Sequence, residues 1–485
     1  MIWALFIYVV VFLPPSRSRP VFHHWMPLIS ALVAGTVAVY LMARAVASHA
    51  SRNLAIESGK AIQIRRRFIK RTMMLQLLML GGFYYFVHYM GFGDMLGASS
   101  VIITQHWIIP FIYAGLIVGL LFLIQLGAYS FATAWRHLRD TERLALGRKI
   151  YPWPSPMRYA IDQVRVTAGI LFTLMIFGTL VIYGRERLLA WSHSEFLWRH
   201  SGSITELLVV PIFWLIYPYI LVRVLNTRRL EDGDLRTRLL AAAGRHGIKI
   251  TDVRVIQTHH RVANAAWIGT ILPLRYILLT DLVLDDFSAE EVEDIFAHEL
   301  GHGHHRHATW YLLLLMTTVL WFNAIMGAAG RLSGWVGPTL VSVFPMFCLM
   351  VLIVAFGKFS RLSEHQADWF AARHWAKRWA ESAPAGVTVA TQADELAHLP
   401  REAMVSGAAL GAAALRNLAD ENMLRTDRTS LTHPSIEDRI TSLYTLSFSP
   451  HMERRLHRHA QIWRWAITFF LVVALAGRVY LYFIK

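Results

Sequence analysis

The sequence predicts a mainly α, polytopic membrane protein, a multi-span helical bundle interrupted by two polar segments. Three observations predict it. Hydrophobic residues make up 55% of the 485 residues and charged residues only 16%, against the quarter or so usual in soluble domains. The apolar residues gather into runs long enough to cross a bilayer, which takes roughly 17–25 residues. The basic residues fall into alternate loops between those runs. The net charge of +16 therefore reads as the positive-inside bias of a membrane protein and not as a nucleic-acid surface. Membrane lipid is the expected partner, and nucleic acid is not.

The apolar runs are 27–47, 72–91, 106–129, 166–184, 204–224, 309–329, 338–356 and 462–484, about eight spans. The run 1–13 is shorter, lacks the basic segment of a signal peptide and ends at Pro14 and Pro15. It fits a signal-like segment, a ninth span or an interfacial helix equally. The loop 52–71 holds Lys60, Arg65, Arg66, Arg67 and Lys70, and the loop 136–165 holds Arg139, Arg143, Arg148, Lys149 and Arg158. Between them, 93–105 carries only Asp94. Alternation then places 226–308 and 357–461 on the side of the basic loops, which is the cytoplasmic side. Arg65–Arg67 read as a juxtamembrane anchor. The single cysteine, Cys348, excludes an intrachain disulfide and a CxxC metal site.

The first polar segment opens with an amphipathic helix over 235–244, closed by Gly244. Branched residues over 253–257 and 276–279 predict strands, and 264–269 between them predicts an edge or loop segment. Ser288 then reads as a helix cap with Glu291 as its capping-box partner, and Phe287 and Val292 as a hydrophobic staple. The stretch 381–392 is small, polar and Pro-containing, which predicts a surface loop.

The capped helix leads into His298-Glu299-Leu300-Gly301-His302. Residues four apart lie on one helical face, so both imidazoles can bind one ion. Glu299 sits about a quarter-turn round from His298, close enough to take a proton from a metal-activated water without ligating the metal. His304, His305 and His307 follow, and read as a basic helix end meeting the dipole and lipid headgroups. A catalytic zinc needs a third protein ligand. Glu364 is the candidate, four residues before Asp368 on the same face, where Asp368 can fix a ligating imidazole through its other N–H. His305 is the weaker rival, because it shares the face of His302. The two half-sites are separated by two apolar spans joined by a short turn around 334–337, which return the chain to the same side of the membrane.

HExxH, two spans and then Ser360-Arg361-Leu362-Ser363-Glu364-His365-Gln366-Ala367-Asp368 together resemble metallopeptidase family 48, the group of HtpX and the CAAX prenyl proteases. Asn264 and Ala265 with Gly269 are similar to the family's NAxxxG segment along the substrate cleft, and His433-Pro434 with Arg439 to its HPxxxxR segment. The resemblance covers about 235–440 of the chain. It implies a gluzincin-like α+β zinc metallopeptidase core with a small β-sheet, one Zn2+ per chain and a protein or peptide substrate. It implies that Glu299 is the general base and that His298, His302 and Glu364 are the ligands. Asp368 and Arg439 would support them, His433 would hydrogen-bond an oxyanion, and Asn264, Ala265 and Gly269 would hold an extended substrate. The implied organisation is a membrane region (1–224) of about five or six helices, a first peptidase part (225–308), a transmembrane hairpin (309–357), a second peptidase part (358–461) and a C-terminal span (462–485).

The number of spans before the metal helix exceeds that of HtpX-like members, and the C-terminal span fits neither branch of the family. Three activities follow as expectations: endopeptidase action on membrane or misfolded proteins, CAAX-type processing of prenylated C-termini, or a non-catalytic zinc-stabilised scaffold. The expected setting is a bacterial inner membrane with a cytoplasmic active site, the alternative being the eukaryotic endoplasmic reticulum. An intramembrane zinc protease is set aside, because Glu290, Glu291, Glu293 and Asp294 make the approach helix polar.

Overall fold

The computed structural model describes residues 25–92, 108–192, 211–329, 332, 336–382 and 400–483. The chain divides into two compact units, Met1–Thr205 with Ile220–Leu225 and Glu206–Tyr219 with Asn226–Lys485. The first is a helical bundle of α1 (Trp25–Ile56), α2 (Ala61–His88), α3 (Ile109–Ala145) and α4 (Pro156–Ser192). Leu80, Ile117, Ile124, Leu171 and Met175 are buried at its centre, while many other apolar side chains of these helices stay exposed, the pattern of surfaces made for lipid. Arg65 is more than a solvated anchor, because its guanidinium lies over the Trp135 ring at 4.8 Å.

Among the described residues five helices are long and apolar enough to cross a membrane: Trp25–Ile56, Ile109–Ala145, Pro156–Leu180, His307–Ala329 and Pro450–Gly477. They take up five of the expected runs. The run 72–91 lies mostly within α2, one helix with a basic first half. The described part of 204–224 is a shorter apolar helix, α5 (Pro211–Val224). The run 1–13, the loop 93–105, half of 334–337 and most of 381–392 lie outside the described residues.

The second unit begins with β1 (Thr227–Arg229), α6 (Asp234–Arg245), β2 (Asp252–Ile256), β3 (Ala265–Ile268) and β4 (Tyr276–Thr280). Gly244 does not close α6 but lies inside it. The helix ends at Gly247, which has φ 62°. Gly247 N–H donates to Gly244 O and Ile248 N–H to Ala243 O, the pair of bonds that satisfies the last carbonyls of a helix. The strands form one sheet in the order β1-β2-β4-β3, with β2 and β4 parallel and both outer pairs antiparallel. Ile277, Leu278 and Leu279 make β4 the buried strand, and β3 is an edge.

After α7 (Asp281–Asp286) comes α8 (Ala289–His304), whose capping box of Ser288 and Glu291 is complete. Phe287 and Val292 are both buried. Arg306, at φ 54°, breaks the helix before α9 (His307–Ala329) begins. By contrast α10 (Val336–Ser382) runs unbroken for 47 residues, so the apolar stretch 338–356 and Glu364 belong to one helix. Then follow α11 (Arg401–Glu421), α12 (Ile436–Phe448) and α13 (Pro450–Phe483). Ala372, Ala376, Ala403, Ala408 and Leu443 form the core between α10, α11 and α12.

Candidate metal centre

The centre is assembled where α8 crosses α10. At the crossing a Cβ on Gly301 would lie 2.9 Å from Ala367 Cα and 3.0 Å from Phe370 Cβ, so glycine lets the two backbones approach. That approach brings His298 and His302 on one helix to Glu364 on the other. One nitrogen from each imidazole and one Glu364 oxygen lie within 4.8 Å of one another. His298 Nε2 and His302 Nε2 are 3.1 Å apart. Glu364 Oε1 is 3.5 Å from His302 Nε2, and Oε2 is 3.7 Å from His298 Nε2.

The other side of each ring decides what these nitrogens are. His298 Nδ1 lies 2.9 Å from Asp368 Oδ1, so it carries a proton there, and in the neutral ring Nε2 is left as a lone pair. Asp368 also accepts two hydrogen bonds from Arg439, Nε to Oδ2 at 2.8 Å and Nη2 to Oδ1 at 2.5 Å. Two imidazole nitrogens and a carboxylate are turned toward one point, and that donor set fits zinc.

Burial opposes ionisation of Glu364, but the His433 hydrogen bond and the Arg439 charge outweigh it and hold the carboxyl well below its usual range. For Asp368 burial is again outweighed, here by Arg439, and it too is held down. Burial lowers His302, despite the nearby Glu364, which keeps that ring neutral and able to ligate. Each of these states is the one a metal ligand or its support requires.

Glu299 lies beside the three ligands and outside their group. Its Oε2 accepts from the Trp267 backbone N–H at 2.6 Å, which ties it to strand β3. His433 Nδ1 is 3.1 Å from Glu364 Oε2, and its ring is largely exposed. Arg361 steadies the loop that carries it, donating to Leu431 O at 2.9 Å. Asn264 and Ala265 stand at the start of β3, where Asn264 N–H donates to Thr280 Oγ1 at 3.0 Å. Gly269 follows at φ 95°, and a Cβ there would fall 1.7 Å from Leu274 O, so the bend that ends β3 admits only glycine.

His305 does not join the ligands; its ring stacks on His307 and lies near His457. Nor do the three later histidines make a basic helix end. Burial, with His304 and His457 nearby, pushes His305 down to about 3, and His307 is only 1% exposed. The physical reason is the break at Arg306, which leaves His305 half-buried and His307 buried, while His304 at the end of α8 stays exposed. Trp267, Arg361, His307 and Gln366 are site residues to which the sequence reading gave no role in the site. Arg361 had a local signal in the Ser360–Asp368 segment, and His307 in its place five residues after His302.

Residues 229–447 match the signature of peptidase family M48. Over 223 residues the chain is 27% identical to a protease HtpX homolog of Aeropyrum pernix, covering 41% of this chain and 67% of that protein. Over 211 residues it is 25% identical to CAAX prenyl protease 1 of Saccharomyces cerevisiae, covering 37% of this chain and 46% of that protein. The chain thus spans from about half to two thirds of the length of these two relatives. The fold is similar to that of the crystal structure of S. mikatae Ste24p, with TM-score 0.52 at 15% identity over 88% of this chain and 100% of that one.

Proposed function

For a chain whose residues 229–447 form a peptidase family M48 domain, we propose that this multi-pass membrane protein is a zinc-dependent endopeptidase of membrane or misfolded proteins. The observation that carries the reading is the convergence of His298, His302 and Glu364 with Glu299 alongside and outside the ligand set. A structural zinc site has no need of such a carboxylate.

His298, His302 and Glu364 would hold the ion. Zinc, when bound, supplies Lewis acidity that lowers the pKa of a water and polarises a carbonyl. Glu299 takes the proton of the attacking water and passes it to the leaving amine. The Trp267 N–H holds the Glu299 carboxylate in place for that transfer. His433 donates to Glu364 through Nδ1, and as the imidazolium it also donates from Nε2 to the developing oxyanion. Arg439 and Asp368 act through His298, whose ring they fix. Beside this group the outer edge of β3, from Asn264 and Ala265 to Gly269, accepts an extended peptide by backbone pairing at the positions Glu299 does not occupy. The basic loops at 52–71 and 136–165 support a cytoplasmic active site, in a bacterial inner membrane.

A second reading, CAAX-type processing of prenylated C-termini, draws on the S. cerevisiae relative. One experiment tests both. Wild type and Glu299→Gln are purified in detergent, bound zinc is measured, and cleavage of an unfolded protein and of a prenyl peptide is assayed. The expected result is zinc in both proteins, cleavage of the unfolded protein by wild type, and a loss of about 10²- to 10⁴-fold in the variant. Equal activity in the two proteins would sink the peptidase reading, and cleavage of the prenyl peptide alone would replace the first reading by the second.

A further inference from the structure

The two histidine ligands are supported in different ways. His298 leans on the carboxylate of Asp368, whereas His302 leans on another imidazole. Its Nδ1 lies 2.9 Å from His307 Nδ1. His307 Nε2 lies 3.2 Å from Gln366 Oε1, and Gln366 Nε2 lies 3.2 Å from His457 Nδ1. His457 Nε2 is then 3.9 Å from Glu453 Oε1, and Glu453 pairs with Arg373 at 2.5 Å. Four side chains from α8, α9, α10 and α13 thus form one file.

The file has one consistent direction. With His302 Nε2 as the ligating lone pair, Nδ1 bears the hydrogen and donates to His307 Nδ1. His307 must then carry its own hydrogen on Nε2, which faces the Gln366 oxygen. The Gln366 amide hydrogen in turn faces His457 Nδ1, so the remaining His457 hydrogen sits on Nε2 and points toward Glu453. Each group offers the donor or acceptor that its neighbour needs. Two further bonds seat α13 here: Arg464 Nη2 donates to His305 O at 3.2 Å, and Trp321 Nε1 donates to Phe470 O at 3.1 Å.

We propose that α13 is a working part of the metal centre: through His457, Gln366 and His307 it fixes the tautomer and ring plane of His302. This rests on the reading of His298, His302 and Glu364 as ligands. The three residues of the file are positioning residues, acting on the metal through His302. The C-terminal apolar helix thereby gains a role that anchoring alone does not require.

The test uses the full chain in detergent, with the zinc ion alone as probe and its affinity measured by chelator competition. His307→Phe and Gln366→Met are each expected to weaken zinc binding by about 10- to 100-fold. Gln366→Glu should stay within about threefold of the parent, because a carboxylate still accepts from His307 and His457 can present its other tautomer. Adding His457→Leu to Gln366→Met should cost nothing more, since the file is already cut. Circular dichroism of the zinc-free proteins identifies any variant that fails to fold, and Gln366→Met and His307→Phe stand in for each other. Parental affinity in the folded variants, or a further loss on adding His457→Leu, would overturn the inference. Glu364→Ala separates the two readings. If it loses zinc while His307→Phe does not, only the role of α13 falls; if both keep parental affinity, the ligand set falls with it.

Discussion

Two clusters of carboxylate, imidazole and guanidinium flank helix α8, and they are built from the same parts to opposite ends. In the first half of the helix Glu293 is fully buried. Its Oε1 accepts from Arg245 at 2.9 Å and from His374 at 2.9 Å, and its Oε2 accepts from Arg238 and Arg378. Every lone pair of that carboxylate meets a donor, and the cations are supplied by the chain. In the second half, Glu364 faces two imidazoles through nitrogens whose hydrogens are on the other side of the ring. Arg439 is near, at 3.5 Å, but it is spent mainly on Asp368. The direction in which each imidazole points, more than residue type or burial, separates a closed structural hub from a centre that can take a cation.

The largest effect that can test the contrast is at the hub. Glu293→Gln leaves three buried or half-buried guanidiniums around a neutral amide, and should destabilise the fold by about 3–5 kcal/mol. Zinc affinity of the molecules that remain folded should hardly move; a loss there as well would join the two clusters into one. The hub also predicts an acid limit. Burial opposes ionisation of Glu293, yet the His374 and Arg238 hydrogen bonds hold its carboxyl at about 2, below the 4.5 of a free one. A lowered carboxylate stabilises fully above the unfolded value, and loses that contribution as pH falls through the folded value. Wild type should therefore lose stability in denaturant titrations between about pH 4.5 and pH 2, and Glu293→Gln should lack that component.

The reverse profile is expected at Glu364. Glu364→Ala should lower zinc affinity by more than about 100-fold, the upper end of what supporting residues cost. The melting temperature of the zinc-free protein should change little, because Asp368 keeps Arg439 paired. A large thermal loss would mean that Glu364 is another structural carboxylate like Glu293.

The parts of this site that were legible in sequence are those with a short, periodic signature. His298 and His302 share a helical face by spacing alone, as do Glu364 and Asp368, and the Ser288–Glu291 capping box is written in four residues. The two buried strands were legible from their branched residues for the same reason. What was not legible depends on pairings across long stretches of chain. Gln366 meets His307 across 59 residues and His457 across 91, and no periodicity links them. His305 and His307 read as part of a charged helix end because a sequence does not display the break at Arg306 that leaves them half-buried and buried, while His304 stays exposed. Gly244 is the first glycine after the apolar stripe of that helix, whereas the positive φ that ends it belongs to Gly247. The Glu293 hub was hidden in the same way: its four partners come from α6 and α10, far from it in the chain.

The unbroken length of α10 has a mechanical meaning. At about 1.5 Å per residue, its 47 residues make a rod that joins the apolar stretch 338–356 directly to Glu364 and Asp368. The histidines have no such rod, since Arg306 leaves a joint between α9 and α8. An ion held by His298, His302 and Glu364 would thus be gripped by one stiff arm and one jointed arm. A tilt imposed on the lipid end of the stiff arm reaches its ligand undamped, while the jointed arm absorbs it, so the triangle of ligands is strained instead of being carried along as a unit. Zinc affinity compared between bilayers of different thickness reads that strain. An affinity indifferent to thickness would show both arms to be equally stiff.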